Sequence, residues 1–196
     1  MKLNVAHVLP RSASNGPGER FVIWVQGCPL HCPGCWNPDT WTFKHRNIWN
    51  VDDLVHSILQ TDGIEGVTFS GGEPFAQAKE LTALARRVQS AGLSVFVFTG
   101  YTTDELVLPE HQELLEQIDV LVAGRFVNAL KESGLLWRGS KNQTVHFLSS
   151  RYSNPHSVPP PELEILLDPD GAVTMTGFPE VQEWIYLHVE TRSSKC

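Results

Sequence analysis

The chain alternates between short apolar runs that close on glycine and longer segments with helical spacing. Four runs are rich in β-branched and aromatic residues, which is typical of buried strands, and they span residues 21–27, 66–71, 93–100 and 118–124. Apolar residues at helical spacing predict helices over 51–60, 77–91 and 103–117, the last of them broken at Pro109. The alternation predicts an α/β fold built on parallel strands.

The pattern loosens after residue 124. A further strand is predicted over 144–148, and the proline-rich segment 149–161 predicts a surface loop. Residues 162–168 and 172–176 flank Pro169-Asp170-Gly171, which predicts a C-terminal β-hairpin. A length of 196 residues favours a single domain over 1–196.

Composition and charge narrow the class of protein. Apolar residues make up 41% and charged residues 19%, as in an ordinary folded domain. The net charge is −7 and the basic residues are scattered along the sequence, so nucleic acid is not an expected partner. No apolar run approaches the roughly 18 to 20 residues that cross a bilayer, and the first ten residues do not read as a secretory signal. We therefore expect a cytoplasmic protein with no membrane partner.

Three of the four cysteines lie within eight residues, and the fourth, Cys196, is the last residue. Cys28, Cys32 and Cys35 follow the first apolar run in a C-x3-C-x2-C pattern, which in a reducing compartment indicates a metal site. Three thiolates would leave one iron of a [4Fe–4S] cluster open to an external ligand. The alternative is a zinc site completed by His31 or His45, in a metal-stabilised binding module without catalysis.

A second motif closes the second predicted strand, Ser70-Gly71-Gly72-Glu73-Pro74. Taken alone it is typical of a helix start, with proline near the first helical position. Ligands of parallel α/β folds gather at the carboxyl ends of the strands, and here both motifs lie at such ends. Together they resemble the radical S-adenosylmethionine superfamily.

More narrowly, the chain is similar to the small activating proteins of anaerobic ribonucleotide reductase. The similarity is carried by Asn15-Gly16-Pro17-Gly18, residues 28–36, 70–74, Thr99-Gly100-Tyr101, residues 119–126 and 138–143. It implies a shortened, open β/α barrel, a partial TIM barrel, rather than a full eightfold one. One departure is Ala123, where close relatives carry an acidic residue that would help to hold the ribose or a nearby cation.

The resemblance also implies roles for individual residues. Cys28, Cys32 and Cys35 would hold a [4Fe–4S] cluster. S-adenosyl-L-methionine would contact Gly71, Gly72 and Glu73, with Glu73 accepting from its amino group. Weaker contacts are expected from Thr99 and Tyr101, and Arg125 would neutralise the carboxylate of this cofactor. Asn142 and Gln143 are further candidates.

The activity implied is reductive cleavage of S-adenosylmethionine to a 5′-deoxyadenosyl radical, which generates a glycyl radical on a partner enzyme. The chemistry would be carried by the cluster and the cofactor, with no catalytic side chain assigned. The expected partners are the anaerobic ribonucleoside-triphosphate reductase and an electron donor such as flavodoxin or ferredoxin. An alternative keeps this chemistry but modifies another peptide or protein.

Overall fold

A computed structural model of the chain describes residues 1–152, 163–167, 171 and 173–177. Cys196, most of the predicted loop 149–161, and Pro169 and Asp170 of the predicted hairpin turn lie outside the described residues.

A seven-stranded sheet forms the centre of the described structure. Its strands are β1 (Lys2–Ser12), β2 (Arg20–Val25), β3 (Asn47–Asn50), β4 (Gly66–Gly71), β5 (Ser94–Thr99), β6 (Val120–Ala123) and β7 (Thr144–Phe147). Two further strands, β8 (Leu163–Leu167) and β9 (Val173–Gly177), pair antiparallel with each other.

The strand order of the large sheet is β3-β1-β2-β4-β5-β6-β7. The four strands predicted from the apolar runs, β2, β4, β5 and β6, are parallel neighbours at its centre. β1, β3 and β7 are antiparallel to their neighbours at the two edges. The prediction of an α/β fold on parallel strands is confirmed, and the carboxyl ends of β2, β4, β5 and β6 meet at one edge.

The three described α-helices are α1 (Val51–Leu59), α2 (Ala78–Ser90) and α3 (Pro109–Leu115). The side chain of Asn50 accepts a hydrogen bond from the Asp52 amide and so caps α1. The predicted break at Pro109 is confirmed, because a short 3₁₀ turn ends before it and Pro109 opens α3 at a position that needs no amide hydrogen. No described helix is long and apolar enough to span a membrane.

The two faces of the sheet are packed differently. Alternate residues of the central strands, such as Ile23, Phe69 and Val97, form the main apolar core with the three helices. The opposite face carries smaller clusters around Trp24 and Phe96. The helices therefore cover one face and leave room for a cavity over the other.

β1 and β3 were not predicted, and β1 shows why. Its pairing with β2 shifts register between Val5 and His7. Leu3 and Val5 therefore pack into the helical core, but Val8 also reaches that core, so the alternation changes phase in mid-strand. A bulged strand of this kind does not show a regular period of two.

Candidate active site

The cysteine loop follows β2, and hydrogen bonds join its first residues to its last. The Gly27 amide donates to the Thr40 carbonyl at 2.8 Å, and the Cys28 amide donates to the Trp41 carbonyl at 3.0 Å. Within the loop, the Cys35 amide donates to the Cys32 carbonyl at 3.0 Å. The backbone thus returns to its starting point, and the three cysteines are held on one short ring of chain.

Gln26 supports this loop from below and was not singled out from the sequence. Its buried side-chain amide donates to the carbonyls of Asp39 at 3.3 Å and Thr42 at 2.7 Å. The side chain of Gln77 in turn donates to the Gln26 carbonyl at 3.1 Å. The sequence does contain a signal for this role, because a glutamine near the end of the apolar run 21–27 is expected to be buried and a buried side-chain amide needs hydrogen-bond partners.

The two glycines after β4 allow close contact with the end of β2. A side chain on Gly71, whose φ is +96°, would place its Cβ 2.6 Å from the Trp24 Cα. A Cβ on Gly72 would lie 2.3 Å from the Gly27 carbonyl oxygen. The amides of Gly72 and Glu73 donate to Val25 and Gly27, both at 2.8 Å. The second motif is therefore bound directly to the base of the cysteine loop.

Glu73 lies fully buried where β2, β4 and β5 end. Its Oε1 accepts from the Phe75 amide at 3.0 Å and from the Thr99 hydroxyl at 2.8 Å, and its Oε2 accepts from the Gly100 amide at 2.8 Å. The first of these bonds makes Glu73 the N-cap of the 3₁₀ turn that leads into α2, so the motif is also a helix start. Burial raises the pKa of Glu73 to about 7, although these three hydrogen bonds act to lower it.

The thiols of the loop are partly shielded from solvent. Burial raises the pKa of Cys28, against hydrogen bonds from the backbone at Leu30 and His31 that lower it. Burial and then the neighbouring Cys35 raise the pKa of Cys32, while the backbone at Phe126 and the charge of Arg125 lower it. Both raised pKa values favour the thiol form, so binding of a metal by these cysteines would release protons.

A cavity of about 320 Å³ joins the two motifs. Cys28, Cys32, Cys35, Gly71, Gly72, Glu73 and Thr99 all line it. Trp24 and Phe98 contribute apolar wall from the sheet, and Thr174, Met175 and Thr176 of β9 line another part. This volume is in the range of small-molecule sites, which begin at about 300 Å³.

Three residues that the resemblance implies do not line this cavity, namely Tyr101, Arg125 and Asn142. Tyr101 packs at the edge of the helical core. Arg125 forms a bidentate ion pair with Glu105, at 2.7 and 2.8 Å. Its guanidinium is close enough to lower the pKa of Cys32 but is engaged away from the cavity.

The remaining residues that carry the resemblance form hydrogen bonds between residues 139–143 and the segment that follows β6. Gln143 accepts from the Gly139 and Ser140 amides and donates to the Gly124 carbonyl at 3.0 Å, and it also lines the cavity. Asn142 donates to the Arg125 carbonyl at 2.8 Å. Ala123 is buried opposite Thr99. These contacts fix the backbone after β6 in place.

The predicted zinc alternative finds no support in the geometry. The ring of His31 stacks on Trp41, with centroids 4.9 Å apart. Among the residues that the structure describes, no three Cys, His, Asp or Glu side chains are close enough to hold one metal ion. A cubane cluster spaces its thiolates farther apart than a single ion does. The three cysteines line one cavity, and this arrangement is compatible with a cluster.

Comparison with known proteins agrees with this class of site. A family model described as a 4Fe-4S single cluster domain matches residues 14–146, more than half of the chain. The fold and the cysteine loop therefore define a single-cluster iron–sulfur protein.

Two relatives narrow the family. A protein of Salmonella typhimurium is 37% identical over 147 residues, covering 71% of this chain and 95% of the relative. One of Escherichia coli strain K12 is 36% identical over 154 residues, covering 74% and 99%. Both are named anaerobic ribonucleoside-triphosphate reductase-activating protein, and the chain belongs to this family.

A solved structure, described as QueE from Escherichia coli, shows a weaker likeness. It is 21% identical to this chain, has a TM-score of 0.45, and the match covers 52% of this chain and 54% of QueE.

Proposed function

We propose that this protein is a radical S-adenosylmethionine enzyme that generates a glycyl radical on an anaerobic ribonucleoside-triphosphate reductase. One observation carries the proposal. The cysteine loop and the Gly71–Glu73 turn are hydrogen-bonded to each other and line the same cavity. The family membership supports the choice of partner. When bound together, the cluster and S-adenosylmethionine supply one-electron reductive cleavage of a carbon–sulfur bond.

The proposed ligands of the cluster are Cys28, Cys32 and Cys35. The chemistry of this donor set supports the assignment, because three thiolates satisfy three irons and leave the fourth open. The backbone bonds that close the loop hold the three cysteines on one short ring of chain. Preorganisation of this kind reduces the cost of ordering the ligands.

The proposed cofactor contacts are Gly71, Gly72, Glu73 and Thr99, which share the cavity with the thiols. Oε2 of Glu73 accepts a hydrogen bond from the Gly100 amide, and a carboxylate oxygen can accept more than one such bond. A cationic amino group beside Glu73 would lower its raised pKa and favour the ionised form. Tyr101 and Arg125 remain weaker proposals, and Arg125 would first have to leave Glu105.

The role of the protein is then to position the reacting groups and to shield the radical from water. Trp24, Phe98 and Phe126 form apolar wall around the cavity, which limits water near a reactive radical. Holding reacting groups in place can contribute about 7 to 11 kcal/mol in favourable cases. The glycine of the partner would be held at the same cavity.

We further propose the finer features of the fold that the resemblance implies. These are a shortened, open barrel of the radical S-adenosylmethionine type with a C-terminal hairpin, formed by a single domain over 1–196. The cavity lined by both the large sheet and the β8–β9 pair supports this proposal. A cytoplasmic location suits a site that needs reduced thiols.

The test is anaerobic reconstitution with iron and sulfide, followed by S-adenosylmethionine and dithionite, with 5′-deoxyadenosine as the readout. We expect product from the wild type and none from Cys32→Ala. Cys196→Ala is the matched control, because it removes a cysteine outside the loop, and it should leave the yield unchanged. An iron-loaded wild type that yields no 5′-deoxyadenosine would refute the proposal.

The partner is tested separately by electron paramagnetic resonance. Incubation with an anaerobic ribonucleoside-triphosphate reductase should give a glycyl radical signal on the reductase. A reductase variant with the radical glycine changed to alanine should give none. Product 5′-deoxyadenosine without any glycyl radical would favour another peptide or protein as the substrate.

A further inference from the structure

The charge of this chain is unevenly distributed around the cysteine loop. The whole sequence has 15 Lys and Arg against 22 Asp and Glu. Segments 27–46 and 125–143, which carry the loop and its neighbour, have six Lys and Arg against two Asp and Glu. Three of the six are ion-paired, Arg46 with Asp39, Arg125 with Glu105 and Lys141 with Glu132, so the excess of positive charge beside the proposed cluster is modest.

The second segment packs directly on the loop. A Cβ on Gly34 would lie 3.4 Å from Asn128 and from Phe126. The Trp36 ring is 6.1 Å from the Phe126 ring, and the Lys131 ammonium lies 4.9 Å from the centre of the Trp36 ring. These contacts give a continuous surface over the outer side of the loop.

We name this surface the outer rim and define it as Pro33, Gly34, residues 127–131 and Lys141. Val127 and Leu130 are exposed by 36% and 41%, and Pro33 and Gly34 are also exposed. Lys141 donates its amide to the Leu130 carbonyl, and its side chain pairs with Glu132. A small apolar centre bordered by charge is the usual layout of a transient protein interface.

The outer rim does not line the cavity, although Cys32 and Cys35 do. The loop thus has an inner side, which faces the cavity, and an outer side, which faces solvent. A protein bound at the outer rim would approach the cysteines without occupying the space needed by the cofactor and the substrate glycine.

From this arrangement we infer that the outer rim is the docking surface for a small acidic electron-carrier protein. The inference rests on the proposed function, which requires an external reductant. One electron leaves the reduced carrier, which is oxidised by one electron, and would reduce by one electron the cluster held by Cys28, Cys32 and Cys35. No atom or proton moves in this step. Lys131 and Lys141 provide the charge complementarity, and Val127 and Leu130 provide the apolar contact.

The test compares two reductants and two matched charge reversals. The rim variant is Lys131→Glu/Lys141→Glu, and the control is Arg11→Glu/Lys79→Glu, which changes the net charge equally at exposed sites outside the rim. The probe is a purified acidic flavodoxin, with its Kd measured in the oxidised state at low salt. Formation of 5′-deoxyadenosine is then measured with reduced flavodoxin and with dithionite.

We expect the rim variant to bind flavodoxin about tenfold more weakly, because attraction between surface charges sets the encounter of such partners. The flavodoxin-driven rate should fall by a similar factor, and the dithionite-driven rate should not change. The wild type should lose affinity as salt rises, and the rim variant should lose less. Leu130→Asp, which keeps both lysines, should also weaken binding.

Several results would overturn the inference. Equal losses in the rim variant and the control would show only a net-charge effect. Unchanged flavodoxin binding with weaker binding of the reductase would assign the outer rim to the reductase. Failure of dithionite to drive the wild type would instead refute the proposed function, so the two failures are distinguishable.

Discussion

Two fully buried ionisable side chains lie at opposite ends of the parallel strands, Glu73 at the carboxyl ends and Arg20 at the amino ends. Neither forms a direct ion pair among the described residues. Glu73 is held by two amides and a hydroxyl. Arg20 donates to the carbonyls of Pro17, Val67 and Ser94 and to the hydroxyls of Thr68 and Ser94.

At both ends of the strands, neutral amide, carbonyl or hydroxyl groups form the hydrogen bonds to the buried side chain. The consequences for the two side chains differ. Burial lowers the pKa of Arg20, yet all three of its guanidinium nitrogens donate hydrogen bonds, which join β2, β4 and β5 in one network. Glu73 joins the same three strands but also lines a cavity. We infer that Arg20 stabilises the folded state. Burial of Glu73, in contrast, lowers the stability of the fold but places a carboxyl where a ligand can bind. The following predictions test this contrast.

The largest effect is expected at the amino end. Arg20→Met should lower the free energy of unfolding by about 4 kcal/mol, because three carbonyls lose a donor and each unsatisfied buried group costs about 1 to 3 kcal/mol. Urea unfolding measures this, with Arg11→Met, at an exposed position, as the control that should change little. Equal stability of the two variants would break the contrast.

The next effect concerns pH. The pKa of Glu73 is about 7 when folded, above its ordinary value of 4.5, so the folded state holds the proton more tightly. Its contribution is fully present below about pH 4.5 and is lost as pH rises through 7, a fall of about 3 kcal/mol. The metal-free wild type should lose this stability between pH 5 and 8, measured by urea unfolding.

Glu73→Gln is the control for that measurement, because its side chain does not titrate in this range. Its stability should lack the part of the pH dependence that comes from Glu73, so the difference between the two curves isolates this carboxyl. Parallel curves for wild type and variant would show that Glu73 is ionised at neutral pH without cost.

A smaller effect is expected where the two motifs meet. Gly72→Ala should cost about 2 kcal/mol and impair cluster binding, because its Cβ would overlap the Gly27 carbonyl and only backbone can yield. Gly100→Ala is the matched control, since its Cβ meets mainly the flexible end of Leu30. Thermal unfolding and iron content measure both. A Gly72 variant as stable and iron-rich as the Gly100 variant would contradict the close approach described here.

The smallest effect is expected at the surface, away from both ends of the parallel strands. Glu105→Gln removes the partner of Arg125 at the surface and should change the free energy of unfolding very little, because exposed ion pairs contribute little. The same variant removes the ion-pair partner of Arg125 and so tests whether Arg125 contacts the cofactor carboxylate. Tighter binding of S-adenosylmethionine in the variant, measured by calorimetry, would support a contact between Arg125 and the cofactor carboxylate, whereas weaker binding would argue against it.

The sequence by itself determined the central strands, the helices and the cysteine loop. Their signals are local, since a buried strand, a helix with an apolar face and a C-x3-C-x2-C loop each occupy a short stretch of chain. The Gly-Gly-Glu-Pro motif was also visible, and both interpretations of it describe the same residues, because Glu73 caps a 3₁₀ turn while lining the cavity.

Only the tertiary structure decided what these residues contact. Gln26 lies in the apolar run 21–27 and Arg20 directly precedes it. Partners of both come from distant parts of the chain, so no local pattern reveals that these two residues organise the two ends of the sheet. β1 changes phase at its bulge, and Arg125 takes Glu105 as its partner. Local sequence sets the elements, whereas burial and hydrogen bonding between remote segments decide which charges are solvated, paired or left facing a cavity.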